Sequence, residues 1–419
     1  MQRCYSTLIA LAVIATTSFA GLTPAEKAGG WRMLFDGESW AGWRSYHQEK
    51  PPAQGWKIED GTLHVVAGGG GGDIVTDGEF GDFELSIEFK VSKGANSGII
   101  YRASEKYDYP WQTGPEYQIL DDEGTHEGGI DTHSVAACYD IYVPSPDKVT
   151  KPAGEWNEAR IRIRDGIVQH FLNGVKVVEY DMKSPEWKEK IAASKFAGYE
   201  GFGLQPRGHI SLQDHGNDVW YRDIKVRELD KPLPDQVTLF DGEDFDGWNV
   251  YTQTQAWDGP TTWTVRDGEI VCMGQPAGYI KTNDTFDNYV LMLRWRFMPD
   301  RAGNSGALLR VIGEDKCWPN CIEAQLQSGN AGDFWNISGE TIEMARPNGR
   351  NGKKSHEAER PVGEWNEYEI VCEGGKITLF VNGEQVNEAA GCPERAGAIA
   401  LQSEGAEIHF KDIRLSPIE

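Results

Sequence analysis

The chain repeats itself once, and this internal duplication constrains its fold more than any other feature of the sequence. The segment WRMLFDGESWAGWRSY at 31–46 resembles VTLFDGEDFDGWNVY at 237–251, and GEWNE occurs both at 154–158 and at 363–367. Five further motifs recur in the same order in both halves. A period of about 200 residues is far too long for a solenoid repeat, so we expect two copies of one domain. The predicted boundaries are 1–20 for a signal peptide, 31–228 for the first domain and 236–417 for the second.

One insertion distinguishes the two copies. The offset between matched positions is 209 at the two GEWNE tryptophans, Trp156 and Trp365, but only 189 at Asp223 and Asp412. The first copy therefore carries an extra segment near 182–200. Its sequence SPEWKEKIAA begins with a residue that caps helices and a proline suited to the first helical turn, which predicts a short helix. Little helix is expected elsewhere.

The remaining sequence is typical of short antiparallel strands. The stretch ARIRIRDGIVQHFLNGVKVVEY at 159–180 contains Asp-Gly and Asn-Gly, both signals of tight hairpins, and predicts a three-stranded meander. Ile161 and Ile163 share one face, and their counterparts Ile370 and Cys372 are also apolar, as a packed core requires. Together with 49 glycines, this pattern predicts an all-β chain of two tandem β-sandwiches, and the domain length favours large double-sheet jelly rolls.

The N-terminus and the charge limit the environment and the partners. Residues 1–20 combine Arg3, an apolar run and a small-residue cleavage site before Gly21, which indicates a secretory signal peptide and export to the periplasm or beyond. The run is too short for a membrane anchor. The formal net charge of −24 argues against nucleic acid as a partner and favours a neutral or small substrate. Export permits disulfides, and Cys317 with Cys321 is the expected local pair.

Several repeated motifs predict turns rather than chemistry. The LFDG motifs place Asp36 and Asp241 where side-chain turns completed by glycine are expected. The NSG motifs at 96–98 and 304–306 are interpreted as loops.

A polar constellation recurs in both copies. Trp111, Glu116 and Gln118 keep their spacing in the second copy, and the two-residue period puts the Glu and the Gln on one face of a strand. Arginines end the preceding strands, at Arg102 and Arg310. One interpretation is sugar binding, with Trp stacking on the ring and Arg polarising an oxygen; the alternative is an internal Glu–Arg ion pair. The second-copy counterparts are Trp318, Glu323 and Gln325.

Three histidines of the first copy are candidates for moving protons. His215 follows Asp214 in LQDHG and is ranked first, with Asp214 as an orienting partner; a surface turn is the alternative. His170 shares strand parity with apolar residues and matches Leu379 in the second copy, which favours a core or sheet-face position, so it is ranked second. His126 lies in an acidic, Gly-rich loop beside Asp121 and Asp122, which could close over a substrate or bind a cation; a solvated acidic loop is the alternative. Tyr139 is assigned to the rim of the site.

The number and order of these motifs, with GPEYQILDDEG and LQDHGNDVWYRDI, give the chain a strong resemblance to the DUF1080, or 3-keto-disaccharide hydrolase, family, over nearly its whole length and twice. The resemblance implies a concanavalin A-like jelly roll, an exported bacterial protein and a carbohydrate ligand. For some members of the family, it also implies cleavage of glycosides that carry a ketone at C3. No cofactor is predicted, and the oligomeric state is not fixed by the sequence.

That chemistry needs a group that titrates near neutral pH and a partner for a developing oxyanion. We expect the first copy to be catalytic, with His215, Glu116, Asp122 and Asp214 in catalytic roles. An ordinary glycosidase using Glu116 with Asp122 is an alternative that needs two carboxylates at a fixed separation. A second alternative, from another functional class, is a carbohydrate-binding protein without activity.

Overall fold

The computed structural model describes residues 21–233, 235–254, 261–337, 339 and 341–419. The predicted signal peptide at 1–20 lies outside the described residues. Two compact units make up the chain: the first spans Arg32–Glu228, and the second spans Leu229–Glu419 together with the short segment Leu22–Trp31.

The first unit contains two antiparallel sheets that enclose one hydrophobic core. Sheet A has the order β11-β10-β9-β6-β13-β4-β3, with β1 also paired to β13, and sheet B has the order β2-β5-β12-β7-β8. The strands are β1 (Arg32–Met33), β2 (Trp43–Ser45), β3 (Trp56–Glu59), β4 (Thr62–Val65), β5 (Ile74–Thr76), β6 (Phe83–Val91), β7 (Asn96–Ala103), β8 (Glu116–Leu120), β9 (Asn157–Arg164), β10 (Ile167–Leu172), β11 (Val175–Asp181), β12 (His209–Leu212) and β13 (Val219–Glu228).

The second unit repeats this arrangement. Sheet C has the order β16-β17-β30-β19-β26-β27-β28-β23, with β14 paired to β30, and sheet D has the order β15-β18-β29-β20-β21-β22-β25-β24. The strands are β14 (Val237–Thr238), β15 (Trp248–Thr252), β16 (Trp263–Arg266), β17 (Glu269–Cys272), β18 (Gly278–Thr282), β19 (Tyr289–Phe297), β20 (Gly306–Ile312), β21 (Asn320–Gln325), β22 (Phe334–Asn336), β23 (Glu343–Met344), β24 (Pro347–Asn348), β25 (Asn351–Gly352), β26 (Asn366–Glu373), β27 (Lys376–Val381), β28 (Glu384–Ala390), β29 (Ala398–Ser403) and β30 (Ile408–Pro417). The prediction of tandem all-β sandwiches is confirmed.

The strand pattern follows the alternation of the sequence. β9, β10 and β11 form the predicted meander, with both pairs antiparallel. Ile161 and Ile163 are fully buried, as are their counterparts Ile370 and Cys372. Arg160 and Arg162, which alternate with these isoleucines, lie on the opposite face of sheet A. There they make ion pairs with the buried carboxylate of Glu84, as does Arg227 of β13.

Helix is sparse, as expected. Helix α1 spans Pro24–Ala28, and helix α2 spans Pro185–Ala193 inside the insertion. The side chain of Ser184 accepts a hydrogen bond from the backbone N–H of Trp187 and caps α2, as the sequence predicts. A short 3₁₀ turn, Lys195–Gly198, follows. In the described ranges, no helix is long and apolar enough to cross a bilayer.

The two LFDG motifs make the predicted turns. Asp36 Oδ1 accepts hydrogen bonds from the backbone N–H groups of Glu38 and Ser39, and Asp241 Oδ1 accepts one from Glu243. The glycines that follow the aspartates have φ of 81° and 91°, a conformation that glycine adopts without strain.

The GEWNE repeats have structural roles that explain why both copies keep them. Asn157 Oδ1 accepts hydrogen bonds from the backbone of Lys151 and the side chain of Asn173, and Asn366 makes the equivalent pair of bonds in the second unit. The tryptophan of each motif covers cations; the guanidinium of Arg222 lies 4.0 Å from the centroid of the first tryptophan ring.

The predicted Cys317–Cys321 disulfide is absent. The six cysteines of the described chain have free thiols. Cys321 is fixed in β21, where its side chain joins a small apolar cluster with Leu308 and Ala400 on the face of sheet D that points away from the core. Packing therefore holds this thiol in place without a covalent bond.

Candidate functional site

A pocket of about 370 Å³ opens on the face of sheet B that points away from the core of the first unit. The strands β7 and β8, with the residues just before β5 and just after β12, supply its floor, and the loop before β8 and the insertion supply its walls. Its lining consists of Gly72, Asp73, Asn96, Tyr109, Trp111, Glu116, Gln118, Tyr139, Lys195, Gln213, Asp214 and His215. Six residues predicted from the sequence therefore meet here: Trp111, Glu116, Gln118, Tyr139, Asp214 and His215.

The floor of the pocket depends on a glycine of the NSG motif. β7 pairs with β8 so that Gly98 lies opposite Gln118 and next to Glu116. A Cβ at Gly98 would lie 2.0 Å from Glu116 Oε1, so only glycine leaves room for this buried carboxyl group. The second unit repeats the contact, with 2.3 Å between a Cβ at Gly306 and Glu323 Oε1. The interpretation of NSG as a loop was wrong for the first copy, where the motif begins a strand and shapes the site.

Gln118 is held by the same motif. Its Nε2 donates a hydrogen bond of 2.9 Å to Oδ1 of Asn96, and it is 1% exposed. Glu116 is 6% exposed. The floor is therefore a rigid row of buried amide and carboxyl groups, which can order the hydroxyl groups of a ligand.

Asp73 is a pocket residue that the sequence analysis missed. It directly precedes β5, and its Oδ1 accepts a 2.9 Å hydrogen bond from the backbone N–H of Asp214. Burial removes water from the carboxyl group, and the charge of Asp214 adds to the effect, so that the pKa of Asp73 rises to about 6. A carboxyl group with this pKa can exchange protons near neutral pH. By strand register the second unit has Tyr279 at this position, so the repeat comparison gave no signal.

Asp214 has a structural role that differs from the predicted catalytic one. Its Oδ2 accepts hydrogen bonds from the backbone N–H groups of Gly71 and Gly72, at 2.9 and 3.1 Å, and its Oδ1 accepts one from Gly216. The carboxylate thus ties two loops together at the pocket rim, and both of its oxygens are engaged with backbone groups rather than with His215. His215 itself is exposed and faces the pocket.

Lys195, also missed, brings a cation to the pocket on the insertion. Its Nζ lies 4.2 Å from the centroid of the Tyr139 ring and 5.2 Å from that of Trp111. The 3₁₀ turn that carries it is capped by Ser194. The signal that could have found this residue is the insertion itself, because a segment present in only one copy is a candidate for a function present in only one copy.

Aromatic side chains form one wall. Tyr109 stacks on Trp111 with ring centroids 6.0 Å apart and an interplanar angle of 16°, and Tyr199 packs edge-on against Trp111 at 5.5 Å. Tyr109 is 54% exposed. An exposed flat ring backed by a second ring is a surface on which a sugar can stack.

The structure does not bring Arg102 into the pocket. Its guanidinium donates to the carbonyl of Gly81 and to the carboxylate of Asp82, and Arg310 likewise donates to backbone carbonyls, including that of Gly374. Both arginines have positive φ, 52° and 53°, where the register of the strand shifts. Regular alternation fails at such a bulge, so the predicted direction of these side chains was wrong. None of the hydrogen bonds and ion pairs found in the described residues joins Arg102 to Glu116 or Arg310 to Glu323.

His170 lies in the core. Its Nδ1 donates to the carbonyl of Ala136 at 3.0 Å, so its Nε2 accepts from the hydroxyl of Tyr101 at 2.9 Å. Burial lowers the pKa of His170 to about 4 and keeps the ring neutral. The core interpretation is thus correct, and the ligand-binding one is wrong.

The acidic loop also lies outside the pocket lining. Asp122 accepts hydrogen bonds from Nζ of Lys148 at 2.7 Å and from the backbone of Val135 at 2.8 Å. It therefore anchors neighbouring segments, and the predicted catalytic role finds no support in its contacts. His126 is exposed on this loop. Among the residues that the structure describes, no group of three or more His, Cys, Asp or Glu side chains is arranged to hold a metal ion.

In the second unit, the matching residues keep their strand positions but change their contacts. Glu323 and Gln325 are 4% and 3% exposed, and Trp318 is 45% exposed. Gln325 Oε1 accepts hydrogen bonds from the backbone of Leu326 and Gln327 instead of contacting the NSG asparagine. No counterpart of Lys195 exists, because the insertion is missing from this copy.

Several known proteins resemble about half of the chain. A 3-keto-disaccharide hydrolase of Bacteroides thetaiotaomicron is 36% identical over 233 residues, which is 48% of this chain and 80% of that protein. Two crystal structures of candidate glycosyl hydrolases from Parabacteroides distasonis ATCC 8503 are also similar. One is 33% identical and covers 49% of this chain and 96% of its own, with a TM-score of 0.46. The other is 31% identical and covers 48% and 99%, with a TM-score of 0.37.

The model of one family matches the chain twice. This family is described as the 3-keto-alpha-glucoside-1,2-lyase-like domain, and its model matches residues 30–227 and again residues 235–416. The two matches together span nearly all of the described residues. The chain therefore belongs to the family of 3-keto-alpha-glucoside-1,2-lyase-like domains and contains two of them in tandem.

Proposed function

We propose that the first unit cleaves the glycosidic bond of glycosides that carry a ketone at C3. The observation that carries this proposal is the meeting of Asp73, whose pKa is about 6, and the ammonium group of Lys195 in one pocket with a stacking wall. Elimination next to a ketone needs these two kinds of group, a base that works near neutral pH and a cation for the oxyanion. The family to which the chain belongs, and its relative from Bacteroides thetaiotaomicron, support the substrate class.

The chemistry follows from the ketone. A base removes the C2 proton, and the electron pair moves onto the C3 oxygen as an enolate. Collapse of the enolate breaks the bond from C1 to the glycosidic oxygen, which leaves as an alcohol after taking a proton from an acid. Water then adds at C1 while C2 regains a proton, so that the net reaction is hydrolysis and the C3 ketone is restored.

Each role can be assigned to a group in the pocket. Asp73 is deprotonated at neutral pH and basic enough to accept the C2 proton. His215 is exposed and lines the same pocket, and its proposed role is to relay a proton to the leaving group or from water. Lys195 brings its ammonium group to the pocket, where its charge stabilises the enolate oxygen. Glu116 and Gln118 bind hydroxyl groups of the ring.

Two other functions compete with this one. Sugar binding without turnover is favoured by the Tyr109–Trp111 stack and the rigid floor, which need no reactive group. An ordinary glycosidase using Glu116 with Asp122 is not supported, because Asp122 is engaged by Lys148 and does not line the pocket.

The test is release of 3-keto-glucose from 3-keto-trehalose, with unoxidised trehalose as the comparison substrate. Lys195→Met should lower kcat by about 100-fold or more, because it removes the oxyanion partner. Lys190→Met is the matched control, since Lys190 lies on α2 of the same insertion and outside the pocket lining, and it should leave kcat unchanged.

The outcomes separate the candidate functions. Equal turnover of trehalose and its 3-keto form would contradict the elimination mechanism and support an ordinary glycosidase. Binding of the 3-keto form without any turnover would support the carbohydrate-binding alternative.

We further propose that the protein is exported to the periplasm or beyond, with residues 1–20 removed as a signal peptide. The motif of Arg3, apolar run and small residues before Gly21 supports this. N-terminal sequencing of protein purified from the native cell should begin at Gly21; an intact Met1 would refute the proposal.

A further inference from the structure

Several buried polar atoms of the second unit have no hydrogen-bond partner among the described residues. They lie on the sheet face that corresponds to the pocket of the first unit. The side chains of Gln402 and Glu323 are 1% and 4% exposed, and neither Oε1 nor Nε2 of Gln402 nor Oε1 of Glu323 has a hydrogen-bond partner within the described part of the chain. Asn304 Oδ1 is in the same condition. Buried polar groups in folded proteins are nearly always paired, so a cluster of exceptions needs an explanation.

Strand register shows that these atoms belong to one place. Glu323 pairs with Leu308 on β20, and Gln402 lies on β29 two residues beyond Ala400, which pairs with the same leucine. Successive residues of a strand alternate in direction, so both side chains share the face of sheet D that points away from the core. Asn304 is bridged to Glu404, and both are partly exposed, so the cluster reaches the surface at this edge.

The comparison with the first unit shows how the cluster arises. There, Asn96 Oδ1 accepts a hydrogen bond from Gln118 Nε2. In the second unit the matching Gln325 accepts hydrogen bonds from the backbone of Leu326 and Gln327, the two residues after β21, and Asn304 Oδ1 has no such donor. The polar residues are thus retained while their mutual bonding is lost, and that is the arrangement of a binding site rather than of a filled core.

We propose that this cluster, consisting of Asn304, Glu323, Gln402 and Glu404, is a second carbohydrate-binding site that binds a neutral sugar without cleaving it. Three acceptor oxygens and one amide N–H group need partners. Adjacent hydroxyl groups of an uncharged sugar ring both donate and accept, so they can satisfy such a set.

The chemistry of the cluster argues against cleavage of a 3-keto sugar here. The ammonium group that would stabilise an enolate is absent with the insertion, and Tyr279 stands where the first unit has Asp73. Burial, reinforced by the charge of Glu404, raises the pKa of Glu323 to about 8, so that its carboxyl group is protonated at neutral pH and can donate to a sugar oxygen. A neutral carboxyl group also avoids a charge penalty when a neutral ligand covers it.

Two glycines provide a matched test of the site in the full-length chain. Gly98→Ala drives a Cβ into the carboxyl group of Glu116 and so displaces the floor of the first pocket. Gly306→Ala drives a Cβ into Glu323 in the same way in the second unit. Isothermal titration calorimetry with glucose, trehalose and cellobiose, each up to about 10 mM, covers the millimolar affinities typical of single sugar sites. Gly98→Ala should still bind at least one of these sugars, at one molecule per chain, and addition of Gly306→Ala should abolish that binding.

Gln402→Leu keeps the proposal testable if the glycine variant fails to fold. In the Gly98→Ala background it should weaken sugar binding by about tenfold or more, because two ligand contacts are lost. It should leave the midpoint of thermal unfolding unchanged or raised, since no internal hydrogen bond is broken. With the first unit intact, it should also leave hydrolysis of 3-keto-trehalose unchanged.

Three results would overturn the proposal. The first is that none of the three sugars binds to the Gly98→Ala chain, which would mean that ordered water alone satisfies the cluster. The second is sugar binding that Gln402→Leu leaves unchanged. The third is a marked loss of stability in Gln402→Leu. The measurement does not depend on turnover, so failure of the proposed hydrolysis would leave it intact.

Discussion

Asp73→Asn should increase the stability of the protein at pH 8 while removing its activity. The folded protein raises the pKa of this carboxyl group from 3.8 to about 6, mainly by burial. The group therefore prefers its protonated form in the folded state, and stability falls as pH rises from 3.8 through about 6. Asparagine cannot ionise, and its Oδ1 can still accept the hydrogen bond from the backbone of Asp214.

The magnitude follows from the pKa. A rise from 3.8 to about 6 corresponds to at most about 3 kcal/mol of unfolding free energy at pH 8, because one pKa unit is worth about 1.4 kcal/mol. The side chain is only partly buried, so we expect about 1 to 2 kcal/mol. At pH 4 the wild-type carboxyl group is largely protonated in the folded protein, and the gain should vanish.

The assay is urea unfolding at pH 8 and pH 4, with hydrogen exchange of β5 peptides reporting on the first unit. In parallel, kcat on 3-keto-trehalose should fall by about 100-fold or more, because the base is lost. A variant that is less stable at pH 8, or equally stabilised at both pH values, would refute the account of Asp73 as a carboxyl group held in the folded state at an energetic disadvantage.

Three further substitutions test structural roles. Arg102→Met should lower the unfolding free energy by about 2 to 4 kcal/mol, because Asp82 loses its partner in a buried ion pair. It should not change KM. A raised KM with unchanged stability would instead show that Arg102 contacts the substrate. His170→Leu should cost about 1 to 3 kcal/mol through its lost hydrogen bonds and leave the pH profile of kcat unchanged, so a displaced profile would contradict the core assignment. Glu84→Gln should cost about 3 to 5 kcal/mol at pH 7, because buried cations lose their charge partner. Burial raises the pKa of Glu84, but the surrounding arginines lower it by more, to about 2. The stabilisation from the Glu84 carboxylate is therefore fully present above its ordinary pKa and is lost as pH falls through about 2. A difference in unfolding free energy between Glu84→Gln and wild type that stays constant during an acid titration would contradict this account.

The sequence allowed the sandwich to be predicted because the determining signals are local. Alternation at Ile161 and Ile163, hairpin turns of Asp-Gly and Asn-Gly, and the Ser184 cap each act within a few residues, and each is present in the structure. The duplication added an internal comparison that separated core from surface.

The site could be predicted only where it follows strand periodicity. Glu116 and Gln118 were found because they alternate on β8. Asp73 was missed because its pKa depends on burial by segments far away in sequence, and Arg102 was misplaced because a positive φ at a register shift redirects its side chain. Lys195 reaches the pocket through tertiary packing of the insertion, which no local pattern records.

The insertion also suggests how two once-identical domains came to differ. Both repeats keep a buried glutamate and a buried glutamine beside a glycine on the same sheet face, an arrangement suited to binding hydroxyl groups. Only the first repeat carries the extra segment that contains Lys195. The proposed division between a sugar-binding unit and a catalytic unit therefore requires only one added segment and the difference between Asp73 and Tyr279, with no change of fold.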